Sequence, residues 1–221
     1  KISLKKKIAV AILIKNSKIL KNKIKKSNKI NKRGIKRLDF IKILLKKTSK
    51  NTKIISTTGY TSRELYYLRK IKNNEKGDDF YMVGGMGHSA SVSISYTSNS
   101  NRKTICLDGD GSLLMHLGSM NIINNKIRTS KFKHILLNNF SHESVGGQTT
   151  NSNKINFSKL TKSIGYKKYF CIKNNNEVTS KLSSFLKSSG PSFLEVLIKP
   201  GTIEKLGRPK NFKNIKINFI K

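Results

Sequence analysis

A chain of 221 residues, 36% of them hydrophobic, can bury one substantial core, and its formal charge of +35 would ordinarily direct attention to nucleic acid or an anionic membrane. The cations are 39 Lys against 7 Arg, accompanied by 23 Asn, which makes a solvated surface and argues against the Arg and interleaved aromatics that read phosphates and base edges. The longest apolar run, Ile8 to Ile14, is too short to span a membrane, and the charge is uneven: residues 1–53 hold 20 Lys and Arg against one acid, residues 54–150 only 11 against 7.

In chain order, Ile8 to Ile14 reads as a buried strand without a partner of its own, and residues 15–36 as a Lys- and Asn-rich linker. Asp39 to Lys47 has helical spacing, with Leu38, Ile41 and Leu45 on one side. A strand over Lys53 to Ser56 leads into a Gly turn at Thr58-Gly59 and a helix running to Ile71. Tyr81 to His88, YMVGGMGH, reads as a short strand ending at Gly84-Gly85, with a helix beginning around Gly87. Strands are expected at Lys103 to Leu107 and His134 to Leu137, with a helix over Ser112 to Asn124 between them. Ser158 to Ile164 reads as helix, Lys168 to Ile172 as strand, Glu177 to Lys187 as helix and Phe193 to Ile198 as strand, before a basic tail. This alternation predicts an α/β fold, a three-layer parallel sheet with helices on both faces. Cys106 and Cys171 lie in apolar runs with no metal-ligand spacing, which suits buried, reduced thiols in a cytoplasmic protein.

The chemistry concentrates between Leu107 and Gln148. Asp110 stands between Gly109 and Gly111 at the carboxyl end of one expected strand, and Asn138-Asn139 stand at the end of the next, where open α/β sheets bind ligands. Asp110 and Asn139 are hard oxygen ligands suited to Mg²⁺. The glycines admit close backbone approach, and a helix starting at Ser112 would aim free N–H groups at phosphates, so a metal-bridged diphosphate is the expected ligand.

This segment resembles the motif of thiamine diphosphate-dependent enzymes, GDG followed some thirty residues later by NN. The resemblance implies Mg²⁺ held by Asp110, Asn139 and the backbone oxygen of Ser141, although Phe140 departs from the small residue usual after the asparagines. It further implies cofactor contacts at Thr58, Gly59, Gly84, Gly85, Gly109, Gly111 and Ser112, with Met86 beneath the bent cofactor. TTGYTSREL at 57–65, VGGMGH at 83–88, HESVGGQ at 142–148 and LGRP at 206–209 are similar to the phosphonopyruvate decarboxylase branch, with the sulfopyruvate decarboxylases nearest to it. That branch implies a small 2-oxo acid as substrate and its decarboxylation as the reaction, here 3-phosphonopyruvate to phosphonoacetaldehyde and CO₂.

For proton transfers the candidates are His88, His142 and Glu143, while His116, inside the expected helix, reads as structural. Arg63 and Arg208 are candidates to grip the phosphonate. The glutamate that activates the cofactor in such enzymes belongs to a pyrimidine-binding domain. The expected domain here is 37–209, with Ile8 to Ile14 as the last strand of the pyrimidine-binding domain and 210–221 as the tail. A chain opening on Lys1 is therefore expected to be the C-terminal part of a longer enzyme or a separate small subunit. It should be inactive without that partner and active in a homo-oligomer with the site at an interface. Rival readings are a sulfopyruvate decarboxylase, another 2-oxo-acid decarboxylase or synthase, and a Lys-rich nucleic-acid-binding or scaffold remnant. The last is opposed by the retained Asp110 and Asn139.

Overall fold

The computed structural model describes residues 6, 9–11, 34–71, 79–127, 129–204 and 206–220. Its elements are β1 (Ile35–Lys36), α1 (Arg37–Lys47), β2 (Lys53–Ser56), α2 (Tyr60–Ile71), β3 (Phe80–Tyr81), α3 (Ser89–Ser98) and β4 (Thr104–Gly109). There follow α4 (Asp110–Met115), α5 (Ile123–Lys126), β5 (Phe132–Asn138), α6 (Phe157–Ser163), β6 (Lys168–Ile172), α7 (Asn175–Lys187), β7 (Ser192–Lys199) and α8 (Phe212–Ile220).

The strands form one seven-stranded sheet in the order β1-β7-β5-β4-β2-β3, with β6 also paired to β7. Every pairing is parallel, as the alternation of strand and helix predicts. From β4 the chain proceeds through β5 toward β7, whereas from β2 it proceeds the other way to β3. The loops leaving β2 and β4 therefore diverge and open a crevice at their carboxyl ends, the place where such sheets hold ligands.

Side-chain alternation splits the core between the two faces. Ile105 and Leu107 of β4, Ile135 and Leu137 of β5, and Leu194 and Val196 of β7 pack with Phe40 and Leu44 of α1, Leu65 of α2 and Leu182 of α7. Cys106, Phe132, Leu136 and Phe193 point to the opposite face and pack with Ile94 of α3, Leu113 of α4 and Phe157 of α6. Asn156 and Asn174 cap α6 and α7 by accepting the amides of Lys159 and Glu177. Both cysteines are free thiols, Cys106 buried and Cys171 half-buried.

Four features differ from the sequence reading. The helix expected over Ser112 to Asn124 begins at Asp110 and stops at Met115, because His116 leaves helical geometry at φ −134°, ψ 42°. A 3-10 turn over Leu117–Ile122 follows, and its three-residue repeat keeps Leu117, Met120 and Ile123 on one buried side. Ile35–Lys36, at the end of the expected linker, extends the sheet beside Ile198 and Lys199. The basic tail contains α8, which places Phe219 against Phe80 and Tyr96. Of the expected strand at Ile8 to Ile14, only Ala9, Val10 and Ala11 are described; they are exposed and in no strand, and the rest lies outside the described residues.

Candidate active site

Three loops meet at the crevice, and one hydroxyl joins them. Thr57 Oγ1, at the end of β2, donates to Ser112 Oγ at 2.7 Å, and the Gly87 amide of the β3–α3 loop donates to the same oxygen at 3.1 Å. Ser112 itself lies on α4, after the motif glycines. Leu107 O accepts the Thr57 amide at 2.9 Å, tying the loop after β2 to β4.

Asp110 opens α4 and is buried. Its Oδ2 accepts a hydrogen bond from Thr150 Oγ1 and lies 3.0 Å from Ser152 Oγ. Among the described residues no cation pairs with it. Burial holds its carboxyl above the usual range, opposed by those hydroxyls and by nearby backbone amides. A buried carboxylate supported only by neutral donors fits a cation-binding role, because a metal ion would provide the missing charge.

The two asparagines at the end of β5 face different ways. Asn138 Nδ2 donates to Glu195 Oε1 at 2.8 Å, and Asn138 Oδ1 accepts the Phe140 amide at 3.2 Å. Asn139 Oδ1 accepts the Ser141 amide at 3.1 Å while its Nδ2 donates to Glu143 Oε2 at 3.1 Å. Two successive side-chain turns of this kind fix the backbone and hold Phe140 at φ +60°, an unusual conformation for a bulky residue. The Phe140 departure is thus accommodated by a left-handed turn. Beyond it the chain folds back, with Ser141 bridging Thr149 and the His142 amide bonded to Gln148 O, around a tip at Gly146 and Gly147.

The resulting cleft, of about 60 Å³, brings together Thr58, Met86, Gly109, Asp110, Gly111 and Ser112. Asn139, Ser141, His142 and Glu143 stand in its wall as well. At Gly111 a Cβ would lie 2.5 Å from the His142 ring, so that ring would have to shift; at Gly109 the nearest atom would be Thr57 Cγ2 at 3.8 Å. A second groove of about 290 Å³ adjoins the first through Thr58, Tyr60 and Ser144, and holds Gly59, Gly84, Arg63 and Arg208. Arg63 donates from Nε to Gly207 O at 3.2 Å and from Nη2 to Leu206 O, so its fork secures the 206–209 segment, with Arg208 exposed on the rim. Gly85 packs against Met82 and His88. His88 lines neither cleft; its ring lies against that of His116, tilted by 31° with centroids 4.2 Å apart.

A network not foreseen from the sequence supports the cleft. Arg37, only 4% exposed, donates to Glu64 (Nε–Oε2, 3.0 Å) and to Glu143 (Nη1–Oε2, 3.0 Å). Burial opposes its charge, but the two carboxylates outweigh that and hold the guanidinium above its ordinary range. Glu143 also accepts the Gly201 amide at 2.5 Å and, as above, the Asn139 side chain, so it fixes the NN turn as much as it faces the cleft. Thr150 and Ser152, the partners of Asp110, were likewise absent from the sequence reading; nothing local distinguishes them from other Ser and Thr near the loop.

The protein-family profile for "Thiamine pyrophosphate enzyme, C-terminal TPP binding domain" matches residues 57–196. Phosphonopyruvate decarboxylases of Streptomyces viridochromogenes and Streptomyces hygroscopicus are 33% and 36% identical over 174 and 157 residues, 79% and 71% of this chain. Those stretches are 42% and 38% of the relatives' own lengths. Sulfopyruvate decarboxylase subunit beta of Methanocaldococcus jannaschii is 34% identical over 131 residues, 59% of this chain and 66% of its own.

Proposed function

Because the chain belongs to the thiamine pyrophosphate enzymes, as their C-terminal TPP binding domain, we propose that it holds the diphosphate end of thiamine diphosphate through Mg²⁺ bound by Asp110, Asn139 and the Ser141 carbonyl. The observation that carries this reading is the buried Asp110, unpaired with any cation among the described residues, in one cleft with Asn139 and Ser141. When bound, the cofactor supplies a nucleophilic carbon and an electron sink for decarboxylation of a 2-oxo acid. Around it Thr58, Gly109, Gly111 and Ser112 would contact the diphosphate side. Gly84, Gly85 and Met86 would contact the pyrimidine side, with Gly59 at the adjoining turn. His142, lying against Gly111, is suited to a proton transfer; Glu143 orients Asn139 while held by Arg37; and His88 stands further back.

The substrate best supported is 3-phosphonopyruvate, by likeness to the two Streptomyces enzymes, with Arg208 at the groove rim and Arg63 positioning its segment. Sulfopyruvate is the second reading, favoured by the likeness to the beta subunit. A cleft of about 60 Å³ is small beside cofactor pockets of roughly 300–1,000 Å³. The rest of the site is proposed to come from a pyrimidine-binding surface, on the same polypeptide or another subunit of an oligomer. Val83 after β3, Met115 at the end of α4 and Val145 in the loop after β5 are each more than half exposed, which suits such a covering surface.

Calorimetric titration with thiamine diphosphate tests the first step. Binding is expected with Mg²⁺ and not in EDTA, and Asp110→Ala should abolish it; equal affinity in EDTA would remove the metal assignment. Steady-state kinetics of the complete enzyme on phosphonopyruvate, sulfopyruvate and pyruvate test the second, with pyruvate the poorest because its methyl group offers no charge-assisted hydrogen bonds. Parity of pyruvate with phosphonopyruvate in kcat/KM would leave only the cofactor reading.

A further inference from the structure

At the other end of the sheet from Asp110, beside the amino ends of β4 and β5, lies a recess of about 420 Å³. Five lysines line it, Lys47, Lys103, Lys131, Lys133 and Lys187. No acidic residue lines it, and among the described residues none of the five forms an ion pair. Most of the remaining lining is hydroxyl-bearing, including Thr48, Ser130 and Ser188.

Lys133 is the informative member. It is only 5% exposed, and its ammonium donates to Ser188 O at 2.6 Å, Ser188 Oγ at 2.9 Å and Ser192 Oγ at 2.9 Å. All three partners are neutral, whereas lysines buried to this degree ordinarily have a counter-charge. Burial, followed by repulsion from Lys103, lowers its pKa to about 8. The recess does receive the carboxyl ends of α1 and α7, where lysines complement the helix dipole. Each such end carries only about half a negative charge, well short of five cations.

We propose that this recess is a second ligand site, separate from the cofactor cleft, which takes a small anion bearing two or more phosphate groups. Lysine suits phosphate as a point charge with rotatable donors. The volume is on the scale of small-ligand pockets, roughly 300–1,000 Å³, and Lys133 in its lining is buried. The ligand supplies the missing negative charge, and the hydroxyls supply further hydrogen bonds to its oxygens.

The test is calorimetric titration of the complete protein with tripolyphosphate in EDTA, which keeps metal from the Asp110 end. One site per chain is expected. Its affinity should fall roughly tenfold or more in the double variant Lys103→Glu, Lys187→Glu, while Asp110→Ala leaves it unchanged. Both lysines are exposed, so the double variant preserves the fold. Lys133→Met should also lose affinity, and if that variant fails to fold the exposed pair decides. The proposal is overturned by unchanged affinity in the double variant, or by several equivalent weak sites per chain. It is also overturned if a single-stranded oligonucleotide binds the recess more tightly than tripolyphosphate and is lost in the same variant, which would reassign it to nucleic acid.

Discussion

The two ends of the sheet treat buried charge in opposite ways. At the carboxyl end Glu64 and Glu143 close around Arg37, and Asp110 sits apart with hydroxyl partners. At the amino end five lysines share a recess without an acid. The strands are the same at both ends, β4 running from Thr104 beside the lysines to Gly109 beside the motif. The contrast teaches that net charge says little about where chemistry lies. A chain of +35 forms its candidate cation site around a buried acid and sets five of its lysines at the far end.

The largest effect should come from removing the one buried cation on which two carboxylates depend. Arg37→Met leaves Glu64, 1% exposed, unpaired, and should cost about 3–5 kcal/mol in urea denaturation, or roughly 10 °C or more in the thermal midpoint. Lys133→Met at the opposite end should change stability by less than about 1 kcal/mol. It removes a cation that has no counter-charge, and Ser188 and Ser192 can still bond each other at 2.9 Å. Equal losses in the two variants would erase the distinction drawn between the ends.

Asp110→Asn comes next. The amide keeps one acceptor oxygen, which Thr150 and Ser152 can share as they share Oδ2, and drops an unpaired buried charge, so thermal stability should hold or rise by about 1 kcal/mol. Metal-dependent cofactor affinity should fall on the order of 100-fold. Differential scanning calorimetry and titration on the same sample separate the two outcomes, and a stability loss would mean that Asp110 serves the fold.

How much of this was legible in the sequence depends on separation along the chain. The strands, the parallel sheet and the Asp110 and Asn139 corners follow from short-range alternation and from a motif whose parts end adjacent strands. Cys106, between Ile105 and Leu107, shows the alternation in one tripeptide. Arg37 to Glu143 spans 106 residues, and no local pattern announces such a pair. The break at His116 was hidden because Leu117, Met120 and Ile123 suit a 3-10 repeat as well as an α-helical one. The tail read as solvated lysine because the packing of Phe219 on Phe80 and Tyr96 depends on elements over a hundred residues away.

The motif glycines offer a finer probe. Gly111→Ala should displace the His142 ring and cost about 1–3 kcal/mol, whereas Gly109→Ala should leave the free protein within about 0.5 kcal/mol and act only on cofactor affinity. Measured side by side, the two substitutions separate a glycine that seats the His142 ring from one needed only by a ligand.

A pH dependence is expected at the amino end. With Lys133 near 8 when folded and at its ordinary 10.5 when unfolded, the unfolded chain holds more proton here between those values, so this residue's contribution to stability rises with pH across that window. Below about pH 8 its unfavourable contribution is constant. Thermal midpoints from pH 7 to 10, taken as wild type minus Lys133→Met, should show the rise, and bound tripolyphosphate should flatten it.

The serine that joins the three loops has a consequence of plain valence. A hydroxyl oxygen has two lone pairs and one proton, and in Ser112 both lone pairs are taken, by Thr57 Oγ1 and by the Gly87 amide. What remains is a single O–H on the wall of the cleft, able only to give. Whatever settles against it must bring an electron pair, so the loops, by clasping one another, also set the polarity of their guest.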